Sequence, residues 1–206
     1  MTDKVIVFDL GKVIFDYDVN IISKKLSEYS TEKKLFENMD EFMFSNKDLF
    51  MKYEKGQISS VDFYNKLVDL ASLKNLSFEK FTDIWNDIFT PIDDVVELIN
   101  SLSKKYELAI LSNTNDLHFD YLYKKYSNFF TNFKKLHLSY LMNSRKPDTD
   151  IYSQVIKYHN LKPENIFFTD DNQRNIDVAK EIGIKAYKFE NITKLKQDLK
   201  DFGIEE

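Results

Sequence analysis

The chain has 206 residues, which is long enough to bury a full hydrophobic core in one main domain. Its formal net charge of −5 gives no electrostatic case for nucleic-acid binding, and the absence of cysteine excludes disulfides, zinc–thiolate sites and thiol catalysis. No apolar stretch is long enough to span a membrane, and the N-terminus lacks the basic and apolar regions of a signal peptide. We therefore expect a cytoplasmic protein that binds neither nucleic acid nor membrane; its oligomeric state is not predictable from the sequence.

The first predicted element is a short buried strand over residues 4–8, which ends directly before Asp9. Its unbroken apolar run is typical of a strand that is covered on both faces. A second apolar run, residues 166–169, also ends on acids, Asp170 and Asp171. Asp9 alone could equally cap a turn. Two strands that end in carboxylates, however, can place those carboxylates together at the carboxyl edge of one sheet, where α/β proteins bind their ligands.

A helical segment follows the first strand. Residues 18–90 are rich in Phe, Tyr, Leu and Lys, and their apolar spacing is mostly helical, so we predict an all-helical insertion. The residues Gly56-Gln57-Ile58-Ser59 predict a helix break inside it, and Thr90-Pro91 is expected to return the chain to the sheet.

Strands and helices alternate in the rest of the chain. We predict strands over residues 107–111, 135–138, 166–169 and 184–189, and helices over residues 93–104, 150–159 and 175–182. Such alternation predicts an α/β fold with a parallel sheet. The predicted domains are an α/β core formed by residues 1–17 and 91–206, and the helical insertion formed by residues 18–90.

Four polar segments lie at or near the ends of predicted strands. They are Asp9-Leu-Gly-Lys-Val13, Leu111-Ser-Asn-Thr-Asn115, Ser144-Arg-Lys-Pro147 and Thr169-Asp-Asp-Asn172. In this order they resemble the four motifs of the haloacid dehalogenase (HAD) superfamily. The resemblance covers the whole chain and implies a Rossmann-like parallel sheet of the HAD type, in which residues 18–90 would form an α-helical cap.

The resemblance extends to one subgroup of that superfamily. Bacterial sugar-phosphate phosphatases typified by the α-D-glucose-1-phosphate phosphatase also read Asp-Leu-Gly at the first motif. They are similar to this chain again at residues 111–118, at Arg145-Lys-Pro147 followed by Ile151-Tyr152, and at residues 167–172 through Asn175-Ile176. The implied activity is hydrolysis of a small phosphorylated metabolite.

Phosphoryl transfer supplies a chemical role for the acids. Asp9 is the expected nucleophile, which would form an aspartyl-phosphate that water then hydrolyses. A phosphate would be repelled by clustered carboxylates unless a divalent cation intervened, so we expect Mg²⁺ as the cofactor, held by Asp9 and Asp171. Asp170 would coordinate through water or orient the direct ligands. The alternative is that Asp170 and Asp171 only cap the helix that begins near residue 175.

The remaining site residues are implied by the resemblance. It assigns Ser112 and Asn113 to hydrogen bonds with the phosphoryl group, Lys146 to pairing with that charge and with Asp9, and the backbone carbonyl of Gly11 to the metal. Without the resemblance, Ser112 and Asn113 would read as a turn after a strand, and Lys146 as a surface lysine.

Gly11 departs from the usual superfamily pattern. Most phosphatases of the superfamily carry a second Asp at this position, and it protonates the leaving group and then activates water. General acid–base help is worth about 10²–10⁴-fold, so either turnover is slow or another group substitutes. The candidates are Asp16, Asp18, Glu54 or a metal-ordered water. A sugar 1-phosphate would need less help, because an anomeric oxygen leaves more easily than an ordinary alcohol.

The expected function is that of a Mg²⁺-dependent phosphatase of small phosphate monoesters, with a sugar phosphate such as glucose 1-phosphate as the expected substrate. Two alternatives remain. A 2-haloacid dehalogenase would also lack the second Asp, but it would need a cap arginine, whereas the two arginines here are Arg145 and Arg174. The second alternative is a non-catalytic HAD-like binding or regulatory protein, in which the replacement of the second Asp by Gly11 would have removed the activity.

Overall fold

A five-stranded parallel sheet forms the centre of the computed structural model, which describes residues 3–205 apart from the side chain of Leu35. The strand order is β5-β4-β1-β6-β7, and every neighbouring pair is parallel. The strands are β1 Val5–Phe8, β4 Glu107–Ser112, β5 Lys135–Leu138, β6 Ile166–Asp170 and β7 Lys185–Lys188. This agrees with the predicted α/β fold. Residues 1–2 and 206 of the predicted core domain lie outside the described residues.

Helices cover both faces of this sheet. The first strand shows why its sequence is continuously apolar: Ile6 and Phe8 are buried in one hydrophobic cluster, and Val5 and Val7 are buried in another. The helices of this part of the chain are α6 Asp93–Leu102, α7 Asp116–Lys125, α8 Ser127–Phe130, α9 Ser139–Met142, α10 Thr149–His159, α11 Gln173–Glu181 and α12 Ile192–Asp201, with a 3-10 turn at Pro163–Asn165. No helix within residues 3–205 is long and apolar enough to cross a membrane.

The predicted helical insertion is built from its own hydrophobic core. Its helices are α1 Val19–Ser27, α2 Met39–Ser45, α3 Lys47–Glu54, α4 Ser60–Leu70 and α5 Phe78–Asn86, with a 3-10 turn at Lys33–Phe36. Phe63, Phe81 and Trp85 lie in contact in an aromatic cluster, in which the rings of Phe81 and Trp85 are stacked. We propose that residues 18–90 form a separate cap, and we use that name for them below.

The predicted helix break between α3 and α4 is present. Gly56 has a φ of 67°, which an L side chain rarely adopts, and a Cβ there would lie 2.1 Å from the backbone oxygen of Tyr140. Ser59 then starts α4 with a capping box to Asp62. A glycine is therefore required both for the turn and for the close approach of the cap to the sheet domain.

The prediction of an all-helical segment up to residue 90 is wrong at its end. Phe89–Pro91 forms a strand, β3, that pairs antiparallel with β2, Phe15–Tyr17. Three-residue strands are too short to show an alternating pattern, and their pairing partners are distant in sequence. This two-stranded ribbon contains both connections between the cap and the sheet domain.

Candidate active site

The carboxyl ends of β4, β1 and β6 are neighbours at the centre of the sheet, and the predicted site residues meet there. A cavity of about 280 Å³ lies between this edge and the cap. Those predicted site residues that line the cavity are Asp9, Gly11, Ser112, Asn113, Lys146 and Asp171. Asp170 is fully buried below the others. Chain segments far apart in sequence are thus brought together by parallel strand pairing, as expected for this fold class.

Lys146 reaches this edge from the loop between α9 and α10, and its ammonium group is buried between two carboxylates. Its Nζ lies 2.8 Å from Asp9 Oδ1 and 2.6 Å from Asp170 Oδ2, and it donates to the backbone oxygen of Leu111 at 2.8 Å. Three acceptors therefore satisfy its three N–H groups. Burial acts to lower the pKa of Lys146, but the charges of Asp170 and Asp9 outweigh it and raise that pKa, so the site holds a fixed positive charge.

Asp170 is held by neighbouring groups on both of its oxygens. Oδ1 accepts from the backbone N–H of Asn172 and from Asn175 Nδ2, and Oδ2 accepts from Lys146 and from Asn175 Nδ2. Burial alone would raise the pKa of Asp170, but Lys146 and these donors outweigh it and lower that pKa. A carboxylate bound in this way is suited to fixing the orientation of Lys146. Asn175 lies in the first turn of α11. The sequence resemblance includes this residue but assigns it no role.

Asp9 and Asp171 offer oxygen atoms toward the cavity. One oxygen from each of Asp9, Asp170 and Asp171 lies within 4.8 Å of the others. The hydrogen bond from the Leu10 N–H and the ion pair with Lys146 both go to Asp9 Oδ1. Burial raises the pKa of the Asp9 carboxyl well above its ordinary value, and Lys146 opposes that shift. Hard oxygen donors at this spacing fit Mg²⁺, with Asp171 as the exposed member of the three.

Asn113 is tied to the backbone of Lys146. Its Oδ1 accepts from the Lys146 N–H and its Nδ2 donates to the Lys146 carbonyl, both at 2.8 Å. These two bonds hold the lysine loop in place and leave the second N–H of Asn113 Nδ2 for the predicted hydrogen bond to a phosphoryl group. Ser112, by contrast, is the last residue of β4 and lies buried at the cavity wall.

Gly11 is closed off by an aromatic ring. A Cβ on Gly11 would lie 2.9 Å from Cε1 of Tyr17, so the ring stands where a side chain at position 11 would begin. Burial, together with the charges of Asp171 and Asp9, raises the pKa of Tyr17 to about 12. Tyr17 therefore stays protonated beside the acids, and sequence reasoning had no signal for it because the contact is made by a ring from the following strand.

The candidate acids that could replace the missing Asp are in different places. Asp16 is exposed and pairs with Lys12, and Asp18 is exposed and caps α1 by accepting from the Asn20 N–H. Glu54 is the one of the three that lines the cavity, at the end of α3. Its carboxylate pairs with Arg145 at 2.8 Å.

The cap side of the cavity is mostly apolar and aromatic. Its lining residues from the cap include Val19, Ile22, Met39, Met43, Phe50, Tyr53, Trp85 and Ile88. The indole N–H of Trp85 is buried and meets no acceptor among residues 3–205. His118 stacks on Trp85 with ring centroids 5.3 Å apart, and burial lowers the pKa of His118 to about 4, so it is neutral near pH 7. The sequence alone assigned no role to either His118 or Trp85, whose contact joins residues distant in sequence.

A parallel sheet with clustered acids and a buried lysine at its carboxyl edge, under a helical insertion, is the architecture of a HAD-type hydrolase. A model of the haloacid dehalogenase-like hydrolases matches residues 13–189. The chain therefore belongs to this family, and the predicted family and fold are confirmed.

Two of the relatives that this chain resembles are hydrolases of phosphorylated compounds. D-ribitol-5-phosphate phosphatase of Bacteroides thetaiotaomicron is 29% identical over 209 residues, which cover 95% of this chain and 96% of that protein. Flavin mononucleotide hydrolase 1 of Arabidopsis thaliana is 26% identical over 164 residues, which cover 76% of this chain and 62% of that protein. The chain is thus a HAD hydrolase with phosphatase relatives, and its likeness to the glucose-1-phosphate subgroup stays a prediction.

A solved structure agrees with this assignment. A HAD family enzyme of Bacteroides thetaiotaomicron, crystallised as the wild-type protein with magnesium and inorganic phosphate, superposes with a TM-score of 0.80 at 29% identity. The match covers 93% of this chain and 98% of that one.

Proposed function

We propose that this protein is a Mg²⁺-dependent phosphatase that hydrolyses small phosphate monoesters through an aspartyl-phosphate on Asp9. The observation that carries the proposal is the ammonium of Lys146, which is fixed between Asp9 and Asp170 beside the exposed Asp171. A buried cation next to a strand-end carboxylate is what a phosphoryl group requires from a nucleophilic site.

The donor set suits the cofactor. Asp9, Asp171 and the backbone carbonyl of Gly11 would hold Mg²⁺, with Asp170 orienting Lys146 from below. When bound, the cation would neutralise the charge that otherwise keeps a phosphate away from the carboxylates. The magnesium and phosphate in the similar crystal structure support this choice.

The proposed reaction has two steps, formation of the aspartyl-phosphate and its hydrolysis by water. The Leu10 N–H and Lys146 both bind Asp9 Oδ1, so Oδ2 would attack phosphorus as the bond to the leaving oxygen breaks, and the leaving oxygen takes up a proton. Lys146 and Ser112 would hold the phosphoryl oxygens, while Asn113 keeps the Lys146 backbone in place. Water then attacks phosphorus, releases inorganic phosphate and restores Asp9.

The substrate proposed first is a sugar or polyol phosphate, such as glucose 1-phosphate. A cavity of about 280 Å³ is at the lower end of the range for small-molecule sites, which favours a compact monoester. The ribitol-5-phosphate phosphatase that matches nearly the whole chain supports the same class.

A second substrate class is favoured by the cap wall. Phe50, Tyr53 and Trp85 present aromatic surface rather than the many hydrogen-bonding groups that sugar hydroxyls need. A monoester with a planar aromatic leaving group would pack there, and the flavin mononucleotide hydrolase relative supports this possibility.

The test is a phosphatase assay over glucose 1-phosphate, ribitol 5-phosphate, flavin mononucleotide and an aryl phosphate, with Mg²⁺ and with chelator. We expect Mg²⁺-dependent release of phosphate that Asp9→Asn abolishes, because the amide is nearly isosteric but a poor nucleophile. Circular dichroism confirms that the variant is folded. Chelator-resistant release of halide from a 2-haloacid would instead establish the dehalogenase alternative. No turnover of any ester by folded, Mg²⁺-loaded protein would establish the non-catalytic one.

A further inference from the structure

The site as described so far lacks a group that moves a proton. The leaving oxygen needs a proton as its bond to phosphorus breaks, and the water that attacks the aspartyl-phosphate must lose one. Position 11 cannot supply this group, because it is glycine and because the ring of Tyr17 fills the adjacent space. The remaining candidates are an acid from another part of the chain or a metal-ordered water.

Two nearby acids face away from the cavity. The Asp16 side chain is 62% exposed and is held by Lys12 and by the Tyr17 N–H, which lower its pKa. Asp18 is exposed and is used by the first turn of α1. Neither residue lines the cavity.

Glu54 differs from both in its position and in its partners. It is the last residue of α3, it lines the same cavity as Asp9, and its side chain is 26% exposed. Its Oε2 accepts from Arg145 Nε at 2.8 Å, and its backbone oxygen accepts from Ser139 Oγ at 2.6 Å. The Glu54 carboxyl is also close enough to Lys146 for the charge of that lysine to lower its pKa.

The surroundings of Glu54 also favour a carboxyl group that can hold a proton. Burial raises its pKa above the ordinary value, although Arg145 and Lys146 act in the opposite direction. The charge of Glu54 also acts on Tyr17, from β2, and contributes to the raised pKa of that phenol. A raised pKa moves a glutamic acid toward the pH at which it can both give and take a proton.

We propose that Glu54, carried by the cap, is the acid–base residue that replaces the missing Asp at position 11. This inference rests on the proposed phosphatase function. In the first step, the Glu54 carboxyl gives its proton to the leaving oxygen as the bond to phosphorus breaks and Asp9 bonds to phosphorus. In the second step, the Glu54 carboxylate takes a proton from the water whose oxygen bonds to phosphorus, the bond between phosphorus and Asp9 breaks, and inorganic phosphate leaves. Asp9 is then again a carboxylate and Glu54 again carries its proton. Arg145 is a positioning residue that holds the carboxyl in the cavity.

The proposal makes proton transfer depend on how the cap is docked. Glu54 lies in the segment 53–60, whose contacts with the sheet domain also include the ion pair of Lys55 with Asp148 and the hydrogen bond from Gln57 to Asn143. The nucleophile and the lysine belong to the sheet domain, whereas the acid belongs to the cap. Both sets are assembled only while this segment is docked, which would limit chemistry to the closed enzyme.

The experiment compares wild type with Glu54→Gln on esters of graded leaving-group pKa, from an aryl phosphate to a primary-alkyl phosphate. The quantity is kcat/KM, which reports the step that forms the aspartyl-phosphate. We expect kcat/KM to fall by about 10²–10⁴-fold on the alkyl ester and by less than tenfold on the aryl ester. The fall in wild-type kcat/KM that loss of the Glu54 proton causes as the pH rises should disappear in Glu54→Gln. The aryl ester should show a burst of one phenol per enzyme, because the second step is slowed.

The matched control is Asp148→Asn, which removes an ion pair from the same docking segment but no cavity group. This variant should leave unchanged the slope of log kcat/KM against the pKa of the leaving group. An equal loss on both esters in Glu54→Gln would reduce Glu54 to a structural role and overturn the proposal. If this slope steepened in Tyr17→Phe and not in Glu54→Gln, the Tyr17 phenol would be the proton donor, and the proposal for Glu54 would be overturned. Absence of turnover in wild type on every ester would instead overturn the proposed phosphatase function.

Discussion

The sheet edge below the cavity and the docked segment 53–60 of the cap above it are both polar, but they are built differently. Below, the side chains of Lys146 and Asp170 are 1% and 0% exposed and every bond of the ammonium is made. Above, the pair of Arg145 with Glu54 is 23% and 26% exposed, and the pair of Lys55 with Asp148 is 22% and 44% exposed. Water can replace the upper contacts far more easily than the lower ones.

This difference separates two tasks. Charges that are buried and fully bonded need no reorganisation when a phosphoryl group arrives, so the lower edge acts as a preorganised site. Contacts that are partly exposed release the cap at a small free-energy change, and we expect substrate to enter through this opening. Each of the following variants tests one side of that comparison.

The largest effect is expected for Lys146→Met. The variant leaves Asp9 and Asp170 as neighbouring buried carboxylates without their cation, which should lower the free energy of unfolding by about 3–5 kcal/mol and abolish turnover. Urea unfolding and phosphatase assays measure both quantities. The control is Lys134→Met, because Lys134 makes an ion pair with Glu107 while 62% exposed, and such pairs contribute about 1 kcal/mol or less. Equal losses in the two variants would contradict the preorganised edge.

The next effect separates the two neighbouring acids. Asp171→Asn should weaken Mg²⁺ binding more than Asp170→Asn, because Asp171 is the exposed member of the cluster and Asp170 is bonded on both oxygens. Asp170→Asn should instead lower the free energy of unfolding, since it removes the charge opposite Lys146. Calorimetric Mg²⁺ titration and urea unfolding give the two readings. If Asp170→Asn weakened Mg²⁺ binding more than Asp171→Asn did and left the free energy of unfolding unchanged, Asp170 would be the direct ligand.

The smallest effect is expected at the docked segment. Tyr53 donates to Asp116 Oδ1 at 2.7 Å across the boundary between cap and sheet domain, and its hydroxyl also lies 3.3 Å from Ser60 Oγ within the cap. Tyr53→Phe therefore removes the part-buried bond to the sheet domain together with the longer contact to Ser60. We expect the free energy of unfolding to fall by about 1 kcal/mol, and backbone hydrogen exchange to become faster only in residues 53–60.

The control for this variant is Tyr64→Phe, in which the lost bond, to the Leu76 carbonyl, lies inside the cap. That control should leave exchange in residues 53–60 unchanged. A loss above about 3 kcal/mol in Tyr53→Phe would mean that the docked segment is as firmly fixed as the sheet edge.

The sequence by itself determined the sheet and the position of its acids. The apolar run of residues 5–8 is typical of a strand that is buried on both faces of a parallel sheet, and the residue after such a strand lies at the binding edge. Gly56 likewise marked a real break between helices. These features depend on local spacing and backbone conformation, which a single sequence displays.

Only the tertiary structure decided which side chains meet across that edge. The ribbon of β2 and β3 pairs short segments from opposite ends of the cap, and it places the Tyr17 ring over Gly11. The pairing of Glu54 with Arg145 and the bonds of Asn113 to Lys146 likewise join residues distant in sequence. The residue spacing within one segment does not predict such contacts, because they depend on how distant segments pack together rather than on the conformation of either segment alone.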